Sequence, residues 1–121
     1  MAPAKYRIAV HNAISPRGLE RFPHELYEVG KGVSDPDAIL LRSHVLQESQ
    51  VPGSVRAIGR AGSGVNNIPV EAMSRRGIPV FNAPGANANA VKELVLAAIL
   101  AASRNIVPAA AYVQALGKGA D

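Results

Sequence analysis

Apolar residues fall along this chain in short runs, each closed by glycine, proline or asparagine, and the runs predict strand and helix in alternation. Tyr6 to Val10 is apolar and β-rich and ends in His11-Asn12, after which Ser15-Pro16 opens a helical stretch carrying Leu19 and Phe22. Further strands are expected at Leu26 to Val29, closed by Gly30 and Gly32, and at Ala38 to Leu41, after the turn Asp35-Pro36-Asp37. Val55 to Ile58 reads as a fourth strand before a glycine-rich loop. Pro69 to Arg76 is a short helix stopped by Gly77, and Ile78 to Phe81 is a fifth strand. None of the strands shows a polar face, which predicts an α/β fold: a parallel sheet with helices on both sides. Open sheets of this kind bind ligands at the carboxyl ends of their strands, so the loops after Leu41, Ile58 and Phe81 are the ones to inspect.

After Asn82-Ala83-Pro84-Gly85 the pattern changes. Ala90 to Ser103 predicts a long helix that is apolar nearly all round, with Asn87 or Asn89 at its start and Arg104-Asn105 at its end. Its uncharged part, Leu94 to Ser103, falls well short of the roughly 20 residues that span a bilayer, so no membrane partner is expected. Burial against protein on several sides is expected instead, at an interface with another domain or subunit. Pro108 breaks or restarts the helix, and the ending Gly117-Lys118-Gly119-Ala120-Asp121 reads as an interruption.

A chain of 121 residues suits one compact domain. Its 11 glycines and 9 prolines, with 48% apolar residues, indicate a turn-rich globular body. With no cysteine there is neither a disulfide framework nor a thiolate metal site, and His11, His24 and His44 lack metal-binding spacing. The net charge of +4 is spread along the chain and aromatic residues make up only 4%, so a nucleic-acid partner is not expected, whereas a small anion suits the charge. Met1 to Lys5 lacks the pattern of a secretory signal, and the cytoplasm is the expected location.

The sharpest local feature is Gly59-Arg60-Ala61-Gly62-Ser63-Gly64-Val65-Asn66-Asn67. One reading is a dinucleotide fingerprint, but Asn67 stands where the third glycine belongs and the next strand ends at Asn82 instead of an acid. A second is a tight turn in which glycine merely permits left-handed backbone angles. The third, which we prefer, is an anion cradle. Successive N–H groups approach a carboxylate, Arg60 adds charge, and Arg42 reaches the same crevice if the two strands are neighbours.

Taken together, Leu41-Arg42-Ser43, Gly59 to Asn67, Arg76 to Pro84, Asn87 and Glu93-Leu94 resemble the D-2-hydroxyacid dehydrogenases of the phosphoglycerate dehydrogenase type, over Ala38 to Asn105. The resemblance implies a flavodoxin-like substrate-binding domain, residues 1–84. Residues 85–121 would then be the crossing and first helices of an NAD-binding Rossmann domain. It implies that Arg42 and Arg60 attract a phosphate, that the backbone of Ser63 and Gly64 holds the substrate carboxylate, and that Ser63 also lies beside the nicotinamide of NAD. The helix 90–103 would pack in a homodimer interface. The sequence departs from the commoner pattern at Asn66 and Pro69, where aspartates are usual, and at Lys92, where a small residue is frequent.

Hydride transfer in such enzymes needs an arginine for the substrate and a histidine with an acidic partner. By resemblance those lie beyond this stretch, so no catalytic residue is assigned here and the chain alone is expected to be inactive. The first expectation is therefore the substrate-binding part of an oxidoreductase acting on the CH–OH group of a small anionic 2-hydroxy or 2-oxo acid. The two arginines favour 3-phosphoglycerate, as in serine biosynthesis. The alternative is a free-standing carboxylate-binding module without catalytic activity.

Overall fold

The computed structural model describes residues 4–117. In chain order the elements are β1 (Tyr6–Val10), α1 (Pro16–Leu19), β2 (Tyr27–Gly30), β3 (Ala38–Leu41), a 3-10 turn (Glu48–Gln50), β4 (Ala57–Arg60), α2 (Val70–Arg75), β5 (Val80–Phe81), α3 (Ala88–Ser103) and α4 (Ile106–Leu116). The described residues divide into two compact units between Ala86 and Asn87.

The first unit is a five-stranded, wholly parallel sheet in the order β2-β1-β3-β4-β5, which is the flavodoxin-like order. Ile8 faces Ala38 and Val29, Ile39 faces Ile58, and Ile58 faces Val80. Alternation sends Ile39 and Leu41 to one face, where they meet Ile58, Leu46, Val51, Val55, Ile68, Ala72, Met73 and Ile78 in a single buried cluster. Two residues of β1, Ile8 and Val10, are buried outside it.

Several element boundaries differ from the pattern-based expectation, and each difference has a hydrogen-bonding reason. The fourth strand is Ala57–Arg60, not 55–58, because Val55 N–H turns back to Pro52 O (3.3 Å) and Arg56 N–H bonds Asp37 O (2.8 Å). Gly59 and Arg60 therefore belong to the strand, and the free loop starts at Ala61. The fifth strand shortens to Val80–Phe81, since Ile78 N–H bonds Met73 O (2.9 Å) and Pro79 has no N–H to give. The first helix ends at Leu19, and turn bonds from Arg21 to Gly18 and from Phe22 to Leu19 lead into Pro23. Between β2 and β3 the crossover carries no helix.

The second unit is the pair α3 and α4. Asn87 occupies the N-cap of α3 without a side-chain cap bond, and Asn89, inside the first turn, donates to Glu93 Oε1 (2.8 Å). The break falls at Asn105, in the left-handed region at φ 51°, and the helices are bent by 56°. Pro108 sits in the first turn of α4, where its missing N–H has no partner to lose. No residue of either helix is buried within this chain. Among the described residues no single helix is long and apolar enough to cross a membrane.

Candidate functional site

The order of the sheet reverses between β1 and β3, and three polar loops emerge beside that point at the carboxyl ends of β1, β3 and β4. Arg60 is the last residue of β4 and lies in register with Leu41, the last residue of β3; Arg42 directly follows it. The two arginines thus leave neighbouring strands at the same edge of the sheet. Arg42 is exposed and Arg60 half-buried, and neither forms an ion pair among the described residues. The guanidinium of Arg60 folds over Gly62, where a Cβ would come within 2.6 Å of the guanidinium carbon, and its Nε is buried without a partner. A side chain at Gly62 would displace the Arg60 guanidinium from that place.

The loop is anchored by the N–H groups of Ala61 and Gly62 and by the carbonyls of Gly62 and Ser63. Ala61 N–H bonds Leu41 O (2.8 Å), Gly62 N–H bonds Arg60 O (2.9 Å), Ala83 N–H bonds Gly62 O (2.9 Å) and Asn82 Nδ2 donates to Ser63 O (2.7 Å). With these carbonyls held toward the end of β5, the N–H groups of Ser63 and Gly64 have no protein acceptor among the described residues, and both residues are exposed. Two adjacent free donors, with the Arg60 guanidinium over Gly62 and Arg42 directly after the neighbouring strand, suit one small anion carrying a carboxylate and a second negative group.

The loop after β3 is held from both sides. Asn12, at φ 67°, accepts a hydrogen bond from His44 N–H through Oδ1. Asn67 donates from Nδ2 to Arg42 O (3.1 Å) and His44 O (2.7 Å), while Leu46 N–H bonds Asn67 O (2.9 Å). The imidazoles of His11 and His44 stack with ring centroids 4.7 Å apart and planes 10° from parallel. Burial, and then the charge of His44, lower the His11 pKa below the ordinary 6.5. His24 is exposed ahead of β2, and Lys92 is exposed on α3, in the other unit. Among the described residues no three His, Cys, Asp or Glu side chains gather as metal ligands.

The sequence pattern singled out Arg42 and Arg60 and the resemblance added Ser63 and Gly64; the structure sets Arg60 at the last position of β4, Arg42 directly after β3, and Ser63 and Gly64 on the loop after β4. It did not single out Asn12, Asn67, Asn82 or the histidine pair. The available signal was a polar residue directly after a strand, as at His11-Asn12 and Asn82. A cavity of about 500 Å³ lies away from the glycine loop, under the crossover from β2 to β3, with Lys31, Val33, Pro36 and Ile39 in its wall.

Residues 8–118 match the family model described as D-isomer specific 2-hydroxyacid dehydrogenase, catalytic domain. A D-3-phosphoglycerate dehydrogenase of Methanocaldococcus jannaschii is 40% identical over 93 residues, which cover 72% of this chain and 17% of that protein. One from Synechocystis is 46% identical over 77 residues, covering 61% of this chain and 14% of that protein. The chain therefore spans about a sixth of the length of these curated relatives. Among solved structures, NAD+-bound 3-phosphoglycerate dehydrogenase of Entamoeba histolytica superposes with a TM-score of 0.67 at 27% identity, over 81% of this chain and 39% of that one. Apo D-mandelate dehydrogenase of Rhodotorula graminis gives 0.60 at 20% identity over 81% and 37%, a likeness of fold.

Proposed function

The chain belongs to the D-isomer specific 2-hydroxyacid dehydrogenase family, and from that premise we propose that it is the substrate-binding part of an NAD-dependent oxidoreductase acting on the CH–OH group of 3-phosphoglycerate. The observation that carries the reading is the pair of free N–H groups at Ser63 and Gly64, in a loop that Arg60 folds over and that leaves the sheet next to the strand ending before Arg42. The N–H pair holds the C1 carboxylate. The arginines hold the phosphate on C3, two carbons along, which selects a phosphorylated acid over a bare one. The names of the relatives, D-3-phosphoglycerate dehydrogenase, agree with a doubly anionic substrate.

In this reading residues 1–84 form the substrate-binding domain and residues 85–121 the crossing and first helices of an NAD-binding domain, in a cytoplasmic homodimer joined through the apolar α3. The NAD+ of the Entamoeba structure supports the choice of cofactor. The residues of this chain fit its edge only: Ser63 is exposed at the mouth of the loop, and Met1 to Asp121 contains no complete Gly-x-Gly-x-x-Gly run to receive a pyrophosphate. Bound there, NAD+ would supply the acceptor for the hydride of the hydroxyl carbon, with Ser63 the residue of this chain at its edge. What this chain does is fix both anionic ends of the substrate, so that this carbon stands at a set height above the loop.

The test is NADH formation from 3-phosphoglycerate by the full-length protein, with Arg60→Ala alongside. Turnover is expected, with KM raised about tenfold or more in the variant, the loss of a charge-assisted contact. No turnover by the unaltered protein, or an unchanged KM in Arg60→Ala, rejects the assignment.

A further inference from the structure

We infer that Asn12 and Asn67 are positioning residues for the phosphate end of the substrate, because together they grip the Arg42–His44 segment from opposite sides and so fix Arg42 against the glycine loop. The inference rests on the phosphorylated substrate proposed above. The segment is pinned by the buried Leu41 and Leu46 at its two ends, but no side chain between them enters the core: Arg42 and Ser43 are exposed and Val45 is 67% exposed. An arginine on a loose segment loses much of its affinity to ordering itself on binding. Here one loop on each flank supplies an asparagine. Asn12, from the end of β1, holds the N–H of His44; Asn67, from the loop after β4, holds the carbonyls of Arg42 and His44.

Two features mark the grip as built. Asn12 adopts a left-handed backbone conformation, uncommon outside glycine, which aims its side chain back across the sheet end. Asn67 leaves its Oδ1 buried and without a partner while its Nδ2 serves two carbonyls. The amide orientations follow from the partners, since a backbone N–H only donates and a carbonyl oxygen only accepts. The two asparagines therefore answer differently to the same change. Asn12→Asp keeps an acceptor for His44 N–H, whereas Asn67→Asp removes both donors and sets a carboxylate against two carbonyl oxygens.

The experiment compares kcat/KM of the full-length protein for 3-phosphoglycerate and for unphosphorylated D-glycerate. Asn12→Ala, Asn67→Ala and Asn67→Asp are expected to lower the preference for the phosphorylated acid about tenfold, through its KM, as loss of one charge-assisted contact does. Asn12→Asp is expected to keep it, and none of the substitutions is expected to lower it further in an Arg42→Ala background. A parallel fall for both acids, an unchanged preference, or Asn12→Asp behaving as Asn12→Ala overturns the inference. If the Asn67 variants do not fold, the contrast between Ala and Asp at Asn12 decides. Failure of the unaltered protein to oxidise 3-phosphoglycerate rejects the proposed function, whereas an active protein with indifferent variants rejects the positioning role alone.

Discussion

The stacked imidazoles of His11 and His44 place a titratable pair beside the loops proposed to bind substrate, and their chemistry sets a direction for pH dependence. Burial, and then the charge of His44, lower the His11 pKa below 6.5. A histidine whose pKa is depressed by folding binds its proton more readily in the unfolded chain, so its contribution is complete above about 6.5 and is lost as pH falls toward the folded value. Urea unfolding of the protein is expected to show a falling midpoint from about pH 7.5 to about pH 5.5, and His11→Asn should flatten that decline. An identical slope in the variant would assign the decline to other groups. Residue by residue, the sequence made part of the candidate site legible. Arg42, Arg60 and the glycines announce themselves, since charge and the lack of a side chain are properties of single positions. Asn12 and Asn67 do not, because their role lies in which backbone groups stand opposite, and those are 32, 25 and 23 residues away in the chain.

At the level of elements, the existence and type of all five strands follow from short apolar runs, and their parallel pairing from the absence of a polar face. Their limits do not follow. Val55 reads as strand because it is apolar and β-branched, yet it is buried in the turn before β4, where its N–H closes on Pro52. Burial selects the side chain, while the hydrogen-bond partner defines the element, and only the first is written in composition. The short helix α2 shows how much one buried residue carries. Within its single sequence Val-Glu-Ala-Met-Ser-Arg, Ala72 and Met73 alone are buried, and Met73 is fully so, in the same cluster as Ile39, Leu41 and Ile58. Met73 O also accepts from Ile78 N–H, tying the helix end to the approach to β5. Met73→Ala is expected to cost about 2–5 kcal/mol by denaturant unfolding, with the exposed Ser74→Ala costing little. Equal effects of the two would show that α2 does not lock onto the sheet through that side chain.

For the molecule as a whole, the two units differ in how they hold themselves together. Every residue of the buried core lies at or before Ile78, while the helices expose Leu94 (71%), Leu100 (63%), Val107 (73%) and Val113 (65%) to solvent. An apolar surface of that extent is one that associates, and the bent helix pair buries none of its own residues. The long helix was expected to be buried on several sides; within this chain it is exposed, and the proposed dimer and cofactor domain are what would cover it. The separation leads to a test by truncation. A chain ending at Ala86 contains the whole sheet and the whole buried core, so it is expected to unfold cooperatively and to sediment as a monomer, although so small a domain is only marginally stable. The 121-residue chain is expected to associate instead, and Leu94→Glu with Leu100→Glu should return it to a monomer without moving the unfolding midpoint of the sheet unit. Association of the truncated chain would place the self-contacting surface on the sheet unit and remove the apolar helices as its cause.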